Sequence, residues 1–554
     1  MARRRIGTGG TILGVALAAF MGWLVYTGGV QAGDSAADDN RRLFEQVHRL
    51  VAERYVEEIS SDELYKMAVE GMLDRLGDPY TDFLDSDEWE QIRYSTTGNY
   101  GGLGVRINKQ GDWITVVQVL PGSPGMDVGL LAGDRIVEVE GETARGWTSE
   151  QAVSVLRGPK GEPVNIKVGR PGVPVPLAFR VVRDQIQVRQ ALGVMLDGRV
   201  GLTSLRAFGR PAREELVGAL DELVDQGAQG LILDLRGNPG GILEEGIAVA
   251  DLFLPRGARV VETRSRIKAE AATHDAPSSE RYRDVPVVVL VDGFSASASE
   301  IVAGALQDHD RAAIVGTTTF GKGSVQGLFS LQGANHVKVT TGRWYTPVGR
   351  SISRDRRVEG PAVLDAVSVN GAPITVTPAT GEDDEPVEEF STMTGRTVYG
   401  GGGIRPDLVV YRDTLTADEQ VLRREATAAG APPSQVVFRW AAERVQAGDL
   451  EPDFTLTGQM RDEVWEDLVE AGYEGDRELF DNSRNWIDYM MVSTLAIAGF
   501  GELVQMERLA ARDAQVRTAV SLLRSVGPAG DLFAAVSIEA KRRESTEEST
   551  EEGN

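Results

Sequence analysis

The sequence contains no cysteine in its 554 residues and only four histidines. Disulfide bridges, thiolate metal sites and cysteine nucleophiles are therefore excluded. No cluster of side chains has the spacing typical of metal ligands, so we expect neither a metal nor another cofactor. Positive charge is also scarce, because 58 lysines and arginines face 83 acidic residues and leave a net charge of −25. A surface this acidic repels phosphates, which argues against nucleic acid as a partner.

One long apolar run opens the chain. Arg3, Arg4 and Arg5 precede an almost wholly apolar stretch, residues 11–30, that carries no charge. This pattern is typical of an export signal or a membrane anchor, which we assign to residues 1–32. The arginines would stay in the cytoplasm. The rest of the protein is therefore predicted to be exported, periplasmic or otherwise extracytoplasmic, either released or anchored to the inner membrane.

The remaining sequence predicts an α/β multidomain protein. Its parts differ in the period of their apolar residues, in glycine content and in charge. The predicted divisions are an N-terminal helical segment at 38–92, a strand-rich domain at 93–182, an α/β region at 183–412 with an acidic insertion at about 354–400, a helical region at 413–540 and an acidic disordered tail at 541–554.

A serine-rich turn, Gly293–Glu300, follows a strand predicted to be buried on both faces and opens a helix. A serine at such a turn has an exposed hydroxyl, and the backbone N–H groups beside it lie at the positive end of a helix dipole. This geometry suits a nucleophile with an oxyanion hole. The alternative is a helix cap with small residues that allow tight packing.

A second turn, Phe320–Gly323, places a lysine between two glycines. Apolar surroundings favour the neutral amine of a lysine, and a neutral amine can deprotonate a serine. The alternative is an exposed lysine in a hairpin. Residues 316–322 also resemble a phosphate-binding P-loop, but Gly323 stands where that motif requires serine or threonine.

Two more glycine-rich turns complete the set. Asp234–Gly241 ends an apolar strand and can present backbone N–H groups to a negative oxygen, although a tight turn with an Asp234/Arg236 ion pair is an equally simple explanation. Tyr100–Val105 leads into a strand. Such a loop can direct successive N–H groups at a C-terminal carboxylate, while the strand edge pairs with the ligand backbone.

These four motifs, in this order, resemble the carboxy-terminal processing peptidases, also called tail-specific proteases. The resemblance runs from about residue 40 to 410 and also includes Gly77–Thr81 and Tyr345–Ile352. It implies a crotonase-like α/β protease core with an inserted PDZ domain. It also implies a serine endopeptidase that uses a Ser/Lys dyad and an acyl-enzyme to cleave exported proteins, near their free C-termini.

The resemblance assigns roles to single residues. Ser297 occupies the position of the nucleophile, and Lys322, 25 residues later, that of the general base. Gln326 matches a glutamine that orients the lysine. Gly241 and Ala298 match the residues whose N–H groups form the oxyanion hole. The peptide-binding loop is expected at Gly102, Leu103, Gly104 and Val105.

The sequence departs from the family pattern in two places. The acidic insertion separates Ser351–Ile352 from Gly403–Asp407, which follow each other closely in the family. The helices after residue 413 lie outside the common core. Both departures leave regulation and assembly open, including a homo-oligomer or an adaptor protein.

Two alternatives remain at this point. A catalytically silent PDZ scaffold or chaperone should have lost Ser297 or Lys322, and this chain retains both. A Ser/His/Asp triad would need His309 or His336, neither of which lies in a glycine-marked turn.

Overall fold

The computed structural model describes residues 37–354, 388–448, 450–526 and 531–551. The predicted export segment at 1–32 and most of the predicted insertion lie outside these residues. Within the described ranges, no helix is both long and apolar enough to cross a membrane. The chain forms two compact units, of which the first ends at Phe83 and the second begins at Leu84.

The first unit is helical, as the sequence predicts. Residues 37–54 form one helix and Ser61–Asp74 a second, and a short strand, Asp82–Leu84, follows. The Ser60 hydroxyl accepts a hydrogen bond from the Glu63 N–H, which satisfies one of the free donors at the start of the second helix.

The second unit begins with a small sheet domain. Its strand Val105–Gln110 is the terminal strand of an antiparallel sheet, and the helix Ser149–Leu156 begins with a capping box formed by Thr148 and Gln151. Its helices are Ser86–Thr97, Pro124–Asp127 and Ser149–Leu156. Its strands are Asn99–Gly102, Val105–Gln110, Trp113–Val119, Arg135–Val139, Glu142–Thr143, Pro163–Gly169 and Leu177–Val182.

A six-stranded sheet forms the centre of the following α/β region. Its first two strands pair antiparallel and all later neighbours pair parallel. In spatial order the strands are Ala191–Leu196, Val200–Leu205, Gly230–Asp234, Val287–Val291, Ala312–Gly316 and Leu408–Val409. The carboxyl ends of the parallel strands share one edge, so the turns that follow them meet there.

The central strands are covered on both faces. All five residues of Val287–Val291 are fully buried, which confirms the prediction of a strand without a solvent face. Val287 and Val289 join the cluster that includes the helices Ala212–Asp225, Leu243–Asp251 and Ala298–Asp308. Val288 and Leu290 join a cluster on the opposite face, because successive side chains of a strand point to opposite sides.

That opposite face is covered by the end of the chain. Ala519, Leu522 and Leu523 of the helix Ala514–Ser525 are buried against it. Residues 422–509 instead form a helical cluster with a hydrophobic core of their own. The helices of the C-terminal region are Ala417–Ala428, Pro433–Ala447, Gly458–Glu470, Arg477–Asn482, Arg484–Gly499, Glu502–Ala510, Ala514–Ser525 and Leu532–Glu551.

The final helix differs from the expectation of a disordered tail at 541–554, because it continues to Glu551. Glutamate, lysine and arginine are good helix formers, and Glu539 forms ion pairs with Arg542 and Arg543 in this stretch.

A second, antiparallel sheet lies beside the core. In it the hairpin Ser324–Ser330/His336–Tyr345 pairs with Arg259–Ser265. The strand Ala272–Asp275 also belongs to this sheet, and two short 3₁₀ helices, Lys268–Glu270 and Gln332–Ala334, lie in the connections between its strands. Two smaller pairs are Asn99–Gly102 with Asp184–Gln187 and Glu389–Ser391 with Thr397–Tyr399.

Candidate active site

The serine-rich turn lies where the central strand Val287–Val291 ends and the helix Ala298–Asp308 begins. Ser297 has φ 54° and ψ −113°, a conformation that costs energy for any residue with a Cβ atom. A strained serine between a strand and a helix points its hydroxyl away from the sheet edge, as in the nucleophile turns of hydrolases. The strain therefore makes Ser297 the best candidate nucleophile in the turn.

The two neighbouring serines are used differently. Ser295 is fully buried, donates to the Leu235 carbonyl at 2.8 Å and accepts from the Asp292 N–H at 2.9 Å. Ser299 is also fully buried and donates to the Asn238 carbonyl at 2.9 Å. Ser297 alone of the three is partly exposed. The hydroxyls of Ser295 and Ser299 thus hold the turn together and are not available to a substrate.

The lysine turn lies directly beside the serine turn. The Phe320 N–H donates to the Ser295 carbonyl at 3.0 Å. Gly321 has φ 90°, and a Cβ atom there would come within 3.2 Å of the Ile352 carbonyl oxygen, so the turn requires glycine. The buried Trp344 fixes the far side, because its indole N–H donates to the Lys322 carbonyl at 3.0 Å. Lys322 itself is half-buried.

One buried carboxylate joins the two turns. Oε2 of Glu300 accepts from the N–H groups of Ser297 at 2.8 Å and Lys322 at 2.9 Å. Oε1 accepts from the Thr319 hydroxyl at 2.6 Å and the Gly321 N–H at 2.7 Å. Burial raises the pKa of Glu300, while these four hydrogen bonds favour its ionised form. The backbone of Ser297 and that of Lys322 therefore meet at a single oxygen atom.

The glycine turn after strand Gly230–Asp234 closes the third side. Gly240 has φ 96°, and a Cβ atom there would lie 2.8 Å from Ser297 Cβ and 2.9 Å from the Ala298 nitrogen. The next residue, Gly241, is exposed. Ala298 is the first residue of its helix, so its N–H has no acceptor within the helix. Both predicted oxyanion donors thus belong to backbone that adjoins Ser297.

Asn238 holds this glycine turn in place. Its side chain donates to the Leu205 carbonyl at 2.8 Å and accepts from the Gly240 N–H at 2.9 Å. Its own carbonyl accepts from the Ala296 N–H at 3.0 Å. Asn238 is fully buried. Asn238, Glu300 and Trp344 have no role predicted from the sequence, although a glutamate three residues after the serine matches the spacing of a helix capping box.

Gln326 lies on the strand that follows the lysine turn. Its side-chain nitrogen donates to the Ser324 hydroxyl at 2.8 Å and lies 3.5 Å from the Thr340 hydroxyl. Its predicted role in orienting Lys322 stays a prediction.

The histidines of the alternative triad lie far from Ser297. His309 follows the last residue of the helix Ala298–Asp308, and 12 steps of about 1.5 Å each along that helix separate it from Ser297 by roughly 18 Å. Its ring nitrogen contacts the Arg259 carbonyl at 2.7 Å. His336 pairs with Ser330, at the end of the hairpin opposite to Lys322 and roughly 20 Å along the strand. Neither can take a proton from Ser297.

A groove lies in the small sheet domain, between the terminal strand Val105–Gln110 and the helix Ser149–Leu156. The predicted loop Gly102–Val105 lines a cavity of about 330 Å³ there. Gly104 has φ 70°, and its carbonyl accepts from the Leu120 N–H at 2.8 Å and from the Ser123 hydroxyl at 3.1 Å. A loop held this way before a strand with a free edge can accept an extended peptide. Across the described residues, no group of three or more acidic or histidine side chains could hold a metal ion.

Comparison with known proteins gives three matches along the chain. The profile of peptidase family S41 matches residues 199–359, that of the PDZ domain matches 115–170, and that of the activating protease CtpB N-terminal domain matches 7–88. The CtpB-type match falls on the N-terminal helical segment, the PDZ match on the small sheet domain and the S41 match on the α/β region.

Characterised relatives carry the same kind of name. The carboxy-terminal-processing protease of Bartonella bacilliformis is 38% identical over 313 residues, 56% of this chain and 71% of that protein. The carboxyl-terminal-processing protease of Synechocystis sp. is 34% identical over 379 residues, 63% of this chain and 88% of that protein. Among solved structures, the photosystem II D1 C-terminal processing protease is 29% identical, covers 56% of this chain and 90% of its own, and has a TM-score of 0.33.

The fold and the site together define a serine-type peptidase with a PDZ domain. The chain belongs to the carboxy-terminal processing proteases, and its α/β region matches peptidase family S41. The resemblance seen in the four sequence motifs is thereby confirmed.

Proposed function

We propose that this protein is an endopeptidase that cleaves exported proteins near their C-termini, with Ser297 as nucleophile and Lys322 as general base. The observation that carries the proposal is the shared Glu300 oxygen, which holds the N–H groups of Ser297 and Lys322 at 2.8 and 2.9 Å. The two side chains therefore start from backbone positions that are held close together. Fixed placement of this kind supplies much of the advantage of an enzyme over free reactants.

The chemistry follows from these positions. The neutral amine of Lys322 takes the proton of the Ser297 hydroxyl as its oxygen attacks the scissile carbonyl carbon. The N–H groups of Gly241 and Ala298 stabilise the oxyanion that forms, aided by the positive end of the helix Ala298–Asp308. The Lys322 ammonium returns the proton to the leaving amine and leaves an ester on Ser297. Water, deprotonated by Lys322, then hydrolyses this acyl-enzyme, and the serine is regenerated.

The PDZ groove would bring the substrate tail to the enzyme. Extended backbone added beside Val105–Gln110 would pair with the strand, while the N–H groups of Gly102, Leu103 and Gly104 receive the terminal carboxylate. The apolar segment at 11–30 supports an extracytoplasmic location. Reporter fusions after residue 40 should be active only with a reporter that works in the exported state, and a signal confined to a cytoplasmic reporter would refute that location.

The nucleophile is tested by comparing neighbouring serines. Ser297→Ala should lower peptide hydrolysis by at least about 10⁴-fold without changing the thermal midpoint, because the attacking atom is lost. Ser299→Ala is the matched control and should retain measurable turnover. The unaltered enzyme can also be mixed with an activated ester and quenched rapidly. Mass spectrometry should then find the acyl group on the peptide that contains Ser297. A dead Ser299→Ala variant beside an active Ser297→Ala variant would disprove the assignment, and inactivity of the unaltered protein on every peptide would favour the silent scaffold.

A further inference from the structure

The PDZ groove has a wall that does not belong to the PDZ domain. Residues 500–503, which form the turn after the helix Arg484–Gly499 and the start of the helix Glu502–Ala510, line the same cavity as Leu103 and Ile107. The segment comes from the helical region that lies outside the common core of the family.

The helical region that carries this turn packs against the PDZ domain. The side-chain nitrogen of Gln446 donates to the Ala132 carbonyl at 2.7 Å, and the helix Arg484–Gly499 contacts the strand Trp113–Val119. A Cβ atom at Gly133 would lie 2.8 Å from Ala442, so the two surfaces touch closely there. The helical region therefore has a defined position beside the groove.

Glu502 links three parts of the molecule. Its carboxylate pairs with Arg106 of the PDZ terminal strand at 2.7 Å and also with Arg206, which follows the core strand Val200–Leu205. The Glu502 side chain is 16% exposed, so it is shielded from bulk water but open to the groove. A partly shielded charge influences neighbouring charges more strongly than a fully solvated one does.

A peptide that pairs with the terminal PDZ strand would place only some of its side chains near Glu502. Along the terminal strand, Ile107 is buried in the PDZ core, whereas its neighbour Arg106 points to the Glu502 side. A peptide added to this edge alternates in the same way. If its last side chain enters the apolar pocket between the strand and the helix, its next-to-last side chain projects toward Arg106 and Glu502.

We propose that the turn Phe500–Leu503 is a specificity-determining part of the tail-binding groove, in which Glu502 sets the charge preferred at the next-to-last residue of the substrate. This inference rests on the proposed function, because it assumes that the groove binds a free C-terminal tail. Glu502 offsets one of the two positive charges of Arg106 and Arg206, so a basic next-to-last residue is repelled less than it would be by the arginines alone. Without Glu502 the two arginines would favour an acidic residue.

The test uses the full chain with Ser297→Ala, so that bound peptides are not cleaved. Two peptides with apolar C-terminal residues differ only in lysine or glutamate at the next-to-last position, and calorimetry gives both Kd values. Adding Glu502→Gln should shift the ratio of the two Kd values toward the glutamate peptide by about fivefold or more. Glu507→Gln removes the same charge from an exposed position of the same helix and should leave the ratio unchanged.

A second variant covers the possibility that Glu502→Gln loosens the helical region. Leu503 is 40% exposed, so Leu503→Lys adds positive charge to the turn with little effect on packing and should shift the ratio in the same direction. Unchanged ratios in both variants, with both peptides still bound, would overturn the inference and leave tail binding intact. Equal affinity of the Ser297→Ala protein for free-acid and amidated peptides would instead disprove tail recognition, and with it the inference.

Discussion

At the catalytic centre, the serine turn and the lysine turn of one domain meet at a single buried carboxylate, that of Glu300. At the tail-binding groove, the PDZ strand Val105–Gln110 meets a turn, Phe500–Leu503, from a distant part of the chain. The first site is fixed by hydrogen bonds to a fully buried carboxylate. The second is joined by ion pairs whose arginines, Arg106 and Arg206, are 40% and 36% exposed. The candidate catalytic residues therefore lie within one domain, whereas the groove for the substrate tail lies between two regions of the chain.

This difference predicts that the helical region serves two purposes, one of which is structural. A chain that ends at residue 412 loses Ala519, Leu522 and Leu523 and exposes the apolar face of the central sheet. It also loses Asp513, which pairs with the buried Arg236 at 2.7 Å. We expect more than about 5 kcal/mol of lost stability, comparable with the stability of a whole domain, and an insoluble product. A chain that ends at residue 540 is the control and should remain soluble, as judged by gel filtration.

A soluble and active chain of 412 residues would show that the catalytic core folds without the helices, and it would contradict a structural role for the helical region.

The second prediction concerns the carboxylate that joins the two catalytic turns. In Glu300→Gln, the amide nitrogen must face two donor groups, because each carboxylate oxygen accepts two hydrogen bonds. The serine and lysine turns should separate slightly, and kcat should fall by about 10²- to 10³-fold with little change in KM. Glu244→Gln, an exposed glutamate, is the control. Steady-state kinetics with unchanged kcat would mean that Glu300 has no positioning role.

The third and smallest effect separates structural from chemical serines. Ser295→Ala leaves the Leu235 carbonyl and the Asp292 N–H without their hydroxyl partner in a fully buried place. We expect a loss of about 1–3 kcal/mol in the free energy of unfolding, with hydrolysis still detectable. Denaturant titration measures the first quantity and a peptide assay the second. A variant that is fully stable but inactive would show that Ser295, and not only Ser297, takes part in catalysis.

The sequence predicts most of the catalytic chemistry because its signals are local. A serine between a buried strand and a helix, and a lysine between two glycines, can be read without knowledge of the fold. The division into helical, strand-rich and α/β regions follows from composition and the period of apolar residues in the same way, whereas the assignment of the strand-rich region as a PDZ domain comes from the family resemblance. The roles of Ser297, Lys322, Gln326 and the two oxyanion residues stay predictions that the geometry supports to different degrees.

Long-range contacts could not be read from the sequence. Nothing in the residues around Leu522 indicates that they cover Val288 rather than other helices, because apolar helical spacing is the same in both cases. The ion pair between Arg106 and Glu502 joins positions far apart in the chain, and opposite charges are common everywhere in it. Such contacts depend on the tertiary fold, which is why the helical region was predicted as one separate part.

The identity of the general base is the central claim, and one set of rates tests it most directly. Arginine keeps the positive charge of Lys322 but does not deprotonate in proteins, so Lys322→Arg should be as inactive as Lys322→Ala. His309→Ala and His336→Ala should keep most of the activity, since both histidines lie far from Ser297. The measurement is kcat/KM for these four variants on one peptide. Appreciable turnover by Lys322→Arg, or loss of activity in a correctly folded histidine variant, would contradict the Ser297/Lys322 dyad.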